Sequence, residues 1–198
     1  MAYKNIVFDL GGVVVARDSR KCTPEFLEFF SYVQHDPMPQ FWCDYDRGTM
    51  SFEDVKSALA EYRGVGIELC CEWVDRTITM QEEVLPTKQL IERLKERGFK
   101  LYVLSNMAHE YIEFIRTLEV YTNFDGDIIS SEEGVVKPEA DIYKLLLDRF
   151  GLNPAETLFI DDRKINITAA EELGIGGFHF DANNPAKSCS TLEDMLLS

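Results

Sequence analysis

With 198 residues, 45% of them hydrophobic and 28% charged, the chain suits one good-sized domain or a core carrying a smaller insertion, and its composition excludes a disordered or low-complexity protein. A formal net charge of −15 excludes nucleic acid and an anionic membrane surface as main partners, because both need a positive footprint, so an anionic substrate must be held by locally placed groups. No stretch is long enough to span a bilayer, and five cysteines without a CxxC pair point to reduced thiols in a cytosol rather than to disulfides or zinc.

The first element is a strand over Tyr3–Phe8. Ile6, Val7 and Phe8 are apolar on both faces, as in a covered parallel strand, and Gly11-Gly12 end the run just after Asp9. Asp9 also interrupts the apolar start, and no small-residue cleavage site follows, so this is no signal peptide. From Val15 the spacing turns helical and stays so to about Pro86. Thr23-Pro24 caps a helix bearing Phe26, Leu27, Phe29 and Phe30; Ser51-Phe52-Glu53-Asp54 opens one that stops at Gly64; a third amphipathic segment runs from Ile67 to about Thr79. Phe41, Trp42, Tyr45 and Trp73 are expected in a local core, with Cys70-Cys71 packed beside it.

After Pro86 the pattern alternates. A helix bearing Leu90, Ile91 and Leu94 ends at Gly98, and strand Lys100–Leu104 delivers Ser105-Asn106. A helix over about 108–118 leads to a strand over Asp127–Ser130, then to Val136-Lys137-Pro138 at the next helix start. That helix ends at Gly151, and strand Thr157–Ile160 delivers Asp161-Asp162. A helix over about 165–173, a strand near Phe178–Phe180 and a short helix over about 191–196 close the chain. Alternating strands and helices predict an α/β fold: a Rossmann-like three-layer core with a parallel sheet, residues 1–15 and 86–198, and a small helical cap inserted after the first strand, residues 16–85.

Asp9, Ser105-Asn106, Lys137 and Asp161-Asp162 share one address, the carboxyl end of a strand or the loop after it, where α/β proteins bind ligands. The acids together can hold a hard divalent cation through oxygens. A Ser hydroxyl with a following backbone N–H can cradle a phosphate, Lys137 can neutralise its charge, and aspartate is a competent nucleophile toward phosphorus.

These stretches resemble the four motifs of the haloacid dehalogenase superfamily of hydrolases: Phe8-Asp9-Leu10-Gly11-Gly12-Val13, Leu104-Ser105-Asn106, Val136-Lys137-Pro138, and Phe159-Ile160-Asp161-Asp162 with Asn166. The resemblance covers nearly the whole length. It implies that Asp9 attacks phosphorus to form an aspartyl-phosphate that water then hydrolyses. It implies Mg²⁺ held by Asp9, the Gly11 carbonyl and Asp162, with or without Asp161. Ser105 and Asn106 would bind the phosphoryl group and Lys137 would steady its charge.

One position departs from the pattern. Phosphatases of the superfamily usually carry a second Asp two residues after the nucleophile, as general acid and base, and here Gly11 stands there. Three readings follow: substrates with an acidic leaving group, as in the branch that includes glucose-1-phosphate phosphatases; a substitute carboxylate, with Asp18 the candidate; or a catalytically impaired relative that binds a phosphorylated ligand or a partner. A metal-independent dehalogenase fits less well, because Asp161-Asp162 would repel each other without a cation. A receiver domain places its acid pair on the first strand and lacks the inserted segment. Arg47 in the cap is a candidate for the substrate's phosphate or sugar, and His109 is expected on a helix surface. The expected protein is a cytoplasmic Mg²⁺-dependent phosphatase, monomer or weak dimer, acting on a small phosphorylated metabolite such as an anomeric sugar phosphate.

Overall fold

The computed structural model describes residues 3–35 and 37–198. Its centre is β1, Asn5–Phe8, hydrogen-bonded in parallel to β4, Lys100–Ser105, on one side and to β6, Thr157–Asp161, on the other. With β5, Gly126–Ile129, and β7, Gly176–His179, these make a five-stranded parallel sheet of order β5-β4-β1-β6-β7. The pleat sorts the apolar residues into two layers. Ile6, Phe8, Leu101, Val103, Leu158 and Ile160 face one core, with α5 (Leu85–Glu96) and α10 (Pro185–Leu197). Val7, Tyr102, Leu104 and Phe159 face the other, with α8 (Ala140–Phe150) and α9 (Lys164–Glu172). Both faces of the inner strands β1, β4 and β6 are thus buried, which explains why they are apolar without alternation.

Helices α1 (Pro24–Phe29), α2 (Gln40–Asp46), α3 (Phe52–Arg63) and α4 (Ile67–Thr79) follow β1 and gather around a separate aromatic core of Phe26, Phe29, Phe30, Tyr32, Trp42 and Tyr45. Ala108 and Tyr111 of the sheet domain enter this core, and α6 (His109–Ile115) carries the latter. Thr23 and Ser51 cap α1 and α3 as the sequence predicts.

Several elements differ from the expectations. Val15–Arg17 and Gln81–Glu83 pair as a two-stranded antiparallel ladder, β2 and β3, at the ends of the helical segment; three residues are too few to leave a period-2 signal. Leu27 lies on the solvent side of α1. Pro138 does not open α8; Glu139 sits at its N-cap. Helix α6 gives way to a 3₁₀ turn over Glu119–Asn123, and Ser130 leaves β5 to begin the short helix α7, Ser130–Glu133. Helix α10 begins at Pro185, well before Thr191, because the Asn184 side chain accepts from the Lys187 N–H and Pro185 fits the first turn. No helix among the described residues is long and apolar enough to cross a membrane.

Candidate active site

Because β1 lies between β4 and β6, the residues that end these three strands converge. Asp9 follows β1, and its carboxylate Oδ1 accepts from Ser105 Oγ at 2.8 Å and meets Lys137 Nζ at 2.9 Å. Lys137 Nζ also donates to Asp161 Oδ2 at 2.7 Å and to the Leu104 carbonyl at 3.0 Å. An ammonium has three N–H donors, and here each has its acceptor. Lys137 is held there from its own backbone: Asn106 Nδ2 donates to the Lys137 carbonyl at 2.9 Å, and the Lys137 N–H donates to Asn106 Oδ1 at 2.8 Å. Asn106 is therefore clamped to the lysine loop through its side chain.

Asp161 is fully buried and saturated. Besides Lys137 it accepts from the Arg163 N–H at 2.7 Å and from Asn166 Nδ2 on both oxygens, at 3.1 and 3.0 Å. Asp162 and Asp9 are the carboxylates of the cluster with oxygens to spare. Asp9, Asp161 and Asp162 nevertheless present oxygens within 4.8 Å of one another. Burial, with the charges of Asp9 and Asp161, pushes Asp162 up to about 7, and burial likewise raises Asp9 although Lys137 opposes it. Clustered carboxylates short of positive charge, all hard oxygen donors, fit a divalent cation such as Mg²⁺. The Gly11 carbonyl accepts no hydrogen bond among the described residues. Gly12 is constrained by the same cluster: its φ is +77°, and a Cβ there would meet Asp162 Oδ2 at 2.8 Å.

Beside Lys137 lies a cavity of about 270 Å³, lined by Asn106, Lys137 and Asn166 from the sheet domain and by Met38, Cys43 and Asp46 from the helical segment. Arg47 also reaches this cavity, but its guanidinium is engaged: it forks onto Glu139 at 2.6 and 3.0 Å and donates to the Gly134 carbonyl at 3.2 Å. Arg47, the residue expected to bind substrate, thus also ties the helical segment to the loop before α8. Arg47→Ala is expected to lower stability by less than about 1 kcal/mol, because the pair is partly exposed, while raising KM through a looser cap. Denaturant melts and steady-state kinetics on the variant check both.

Asp18, the candidate substitute carboxylate, is not among the residues that line this cavity. It caps the 3₁₀ turn Ser19–Lys21 and is gripped by Arg20 at 2.8 and 2.9 Å, which holds it below the usual carboxylate range. His109 lies on the surface of α6, 3.2 Å from Glu113. All five cysteines are free thiols, with Cys70 and Cys189 buried. The residue that sequence reasoning passed over is Asp46, the last of α2, 9% exposed and lining the cavity. Burial and the charge of Asp9 push it up to about 8. Its only signal in the sequence is an acid next to Arg47-Gly48 in an aromatic helix.

The parallel sheet with helices on both faces is a Rossmann-like α/β fold, interrupted by a helical unit and carrying a carboxylate–lysine cluster at its strand ends. Residues 3–174 match the haloacid dehalogenase-like hydrolase family, and the chain belongs to it. It is 26% identical to a sesquiterpene phosphatase of Aspergillus oryzae over 98% of this chain and 97% of that protein. It is 27% identical to the D-ribitol-5-phosphate phosphatase of Bacteroides thetaiotaomicron over 88% and 90% of the two chains. A crystal structure of a family enzyme from that bacterium, in complex with magnesium and inorganic phosphate, superposes with a TM-score of 0.70 at 26% identity, covering 91% of this chain and 95% of the other. Other relatives are longer, and the chain spans 62% of one and 19% of another.

Proposed function

We propose that the protein is a Mg²⁺-dependent phosphatase that hydrolyses a small phosphorylated alcohol through an aspartyl-phosphate on Asp9. The observation that carries this is the lysine bridge: Lys137 Nζ joins Asp9 and Asp161 at 2.9 and 2.7 Å while Ser105 Oγ bonds the same Asp9 oxygen. Such an arrangement aims Asp9, and the charge of Lys137 opposes the burial that raises its pKa. Asp9, the Gly11 carbonyl and Asp162 would hold Mg²⁺, with Asp161 behind them orienting Lys137. The cation supplies charge neutralisation at the transferring phosphoryl group. The attack by Asp9 on phosphorus then splits one difficult displacement into two easier ones.

The cavity supports a substrate of metabolite size. Gln40, Asp46 and Asn166 offer polar contacts and Pro37, Met38 and Ile165 an apolar rim, which suits a sugar or polyol phosphate. The apolar rim also favours a second reading, an alcohol with a hydrocarbon body such as a terpenoid phosphate, as the Aspergillus relative's name suggests. Phosphate release from a panel of sugar, polyol, acyl and prenyl phosphates, with Mg²⁺ and with EDTA, decides between them. Absence of metal-dependent release across the panel leaves a phospho-ligand or partner-binding protein.

Mg²⁺ is expected to stabilise the fold as well. At a hundred times its dissociation constant the gain is about 2.7 kcal/mol, and in Asp162→Asn it shrinks strongly. Chemical denaturation of both forms with Mg²⁺ and with EDTA tests this, and an equal gain in the two would remove Asp162 from the metal site.

A further inference from the structure

A phosphatase of this kind needs a proton donor for the departing alcohol, and Gly11 offers none; no atom lies within 4 Å of where its Cβ would be. The other acids near the site are committed. Asp161 is saturated by Lys137, Asn166 and the Arg163 N–H. Asp162 belongs to the metal-binding set, Glu139 is held by Arg47, and Asp44 accepts from Gln40 at 2.8 Å. Asp18 is held by Arg20.

Asp46 differs from all of these. Its carboxylate has no hydrogen bond or ion pair among the described residues, it is almost wholly buried, and it lines the same cavity as Asn106 and Lys137. Burial and the charge of Asp9 oppose its ionised form more strongly than the charges of Lys137 and Arg163 favour it, so its carboxyl stands at the cavity with its oxygens open to a group that arrives with the substrate.

Its position is also tightly set. Ser130 Oγ donates to the Asp46 carbonyl at 2.5 Å and accepts from the Met107 N–H at 2.9 Å, directly after the Ser105-Asn106 loop. Arg47 is fastened to Glu139, and Gly48, at φ +79°, lies so close to α7 that a Cβ would stand 2.3 Å from the Ser131 carbonyl oxygen. Three consecutive residues of the helical segment therefore touch the sheet domain, and the acid among them faces the cavity.

We propose that Asp46 is the general acid and base of the reaction, supplied from the cap in place of the residue missing at position 11. This rests on the phosphatase reading above. In the first step Asp9 Oδ bonds to phosphorus as the P–O bond to the alcohol breaks, and the Asp46 carboxyl gives its proton to the departing oxygen. The products are free alcohol, phosphorylated Asp9 and the Asp46 carboxylate. In the second step that carboxylate takes one proton from the attacking water, whose oxygen bonds to phosphorus as the Asp9–phosphate bond breaks. Hydrogen phosphate leaves, and both aspartates return to their starting states. Burial supports the first step by holding the Asp46 proton at neutral pH. Because the donor is present, substrates need not have an acidic leaving group, and ordinary polyol phosphates fall within range.

The test compares wild type with Asp46→Asn and Asp46→Glu. Substrates are the alkyl phosphate turned over best and p-nitrophenyl phosphate, whose phenolate departs without a proton. For Asp46→Asn the first turnover of the alkyl phosphate is expected to slow about 10²–10⁴-fold. With p-nitrophenyl phosphate a burst of one nitrophenolate per enzyme persists, followed by slow turnover and trapped phosphoenzyme. Asp46→Glu restores part of the alkyl rate, and vanadate affinity is unchanged in both variants. An unchanged kcat with a raised KM would make Asp46 a substrate-recognition residue, and equal slowing of both first turnovers with weakened vanadate binding would make its role structural; either overturns the inference. If the wild type releases no phosphate from any substrate, the phosphatase reading fails first and this one with it.

Discussion

Asp9→Asn is expected to abolish phosphate release, by on the order of 10⁴-fold or more, while leaving a folded protein. The amide cannot attack phosphorus, and it is a weak ligand for a hard cation, so two functions are lost in one substitution. The fold should survive because the site holds two buried acids, Asp9 and Asp161, around the single ammonium of Lys137. Burial and the charge of Asp161 already work against ionised Asp9, and an amide accepting from Ser105 and Lys137 keeps the hydrogen bonds without that charge. Phosphate release, phosphoenzyme trapping and a denaturant melt, each on wild type and variant, check the two halves separately. Residual turnover near the wild-type rate would place the nucleophile elsewhere.

Lys137→Met should have the larger effect on stability. Nζ serves three acceptors, the Leu104 carbonyl, Asp9 and Asp161, and is nearly unexposed. Removing one partner of a buried ion pair leaves its charges uncompensated and costs about 3–5 kcal/mol. The loss has a signature that a simple packing defect lacks. In the double variant Lys137→Met with Asp9→Asn, one of the stranded charges is gone, so part of the stability returns; this coupling is read from a double-mutant cycle in denaturant. Lys137→Arg is not expected to rescue catalysis, since a planar fork cannot point its donors at three converging acceptors. Additive losses in the cycle would show that Lys137 and Asp9 do not share charge.

The core was largely legible because its elements carry strong local signals. Runs such as Ile6-Val7-Phe8 and Leu158-Phe159-Ile160 are buried on both faces, and glycines punctuate the helices that follow. The weaker elements escaped for identifiable reasons. The ladder joining Val15–Arg17 to Gln81–Glu83 is short and its partners lie far apart in sequence. The start of α10 depends on an Asn184 cap ahead of a polar turn with few apolar residues.

What the sequence determined by itself is the inventory of chemistry. Acids, a hydroxyl, an amide and a lysine stand just past apolar runs, and the strand-end address follows from local pattern alone. The tertiary structure decided how those groups divide the work. Strand order puts β1 between β4 and β6, so Lys137 can reach both Asp9 and Asp161, and Asn166 with the Arg163 N–H then saturates Asp161. Docking of the helical segment paired Arg47 with Glu139 and brought Asp46 to the cavity. Those outcomes rest on contacts such as Ser130 with the Asp46 carbonyl, 84 residues apart in the chain. No periodicity records a contact of that kind, because it depends on the packing of two separate cores against each other and on nothing that neighbouring residues share.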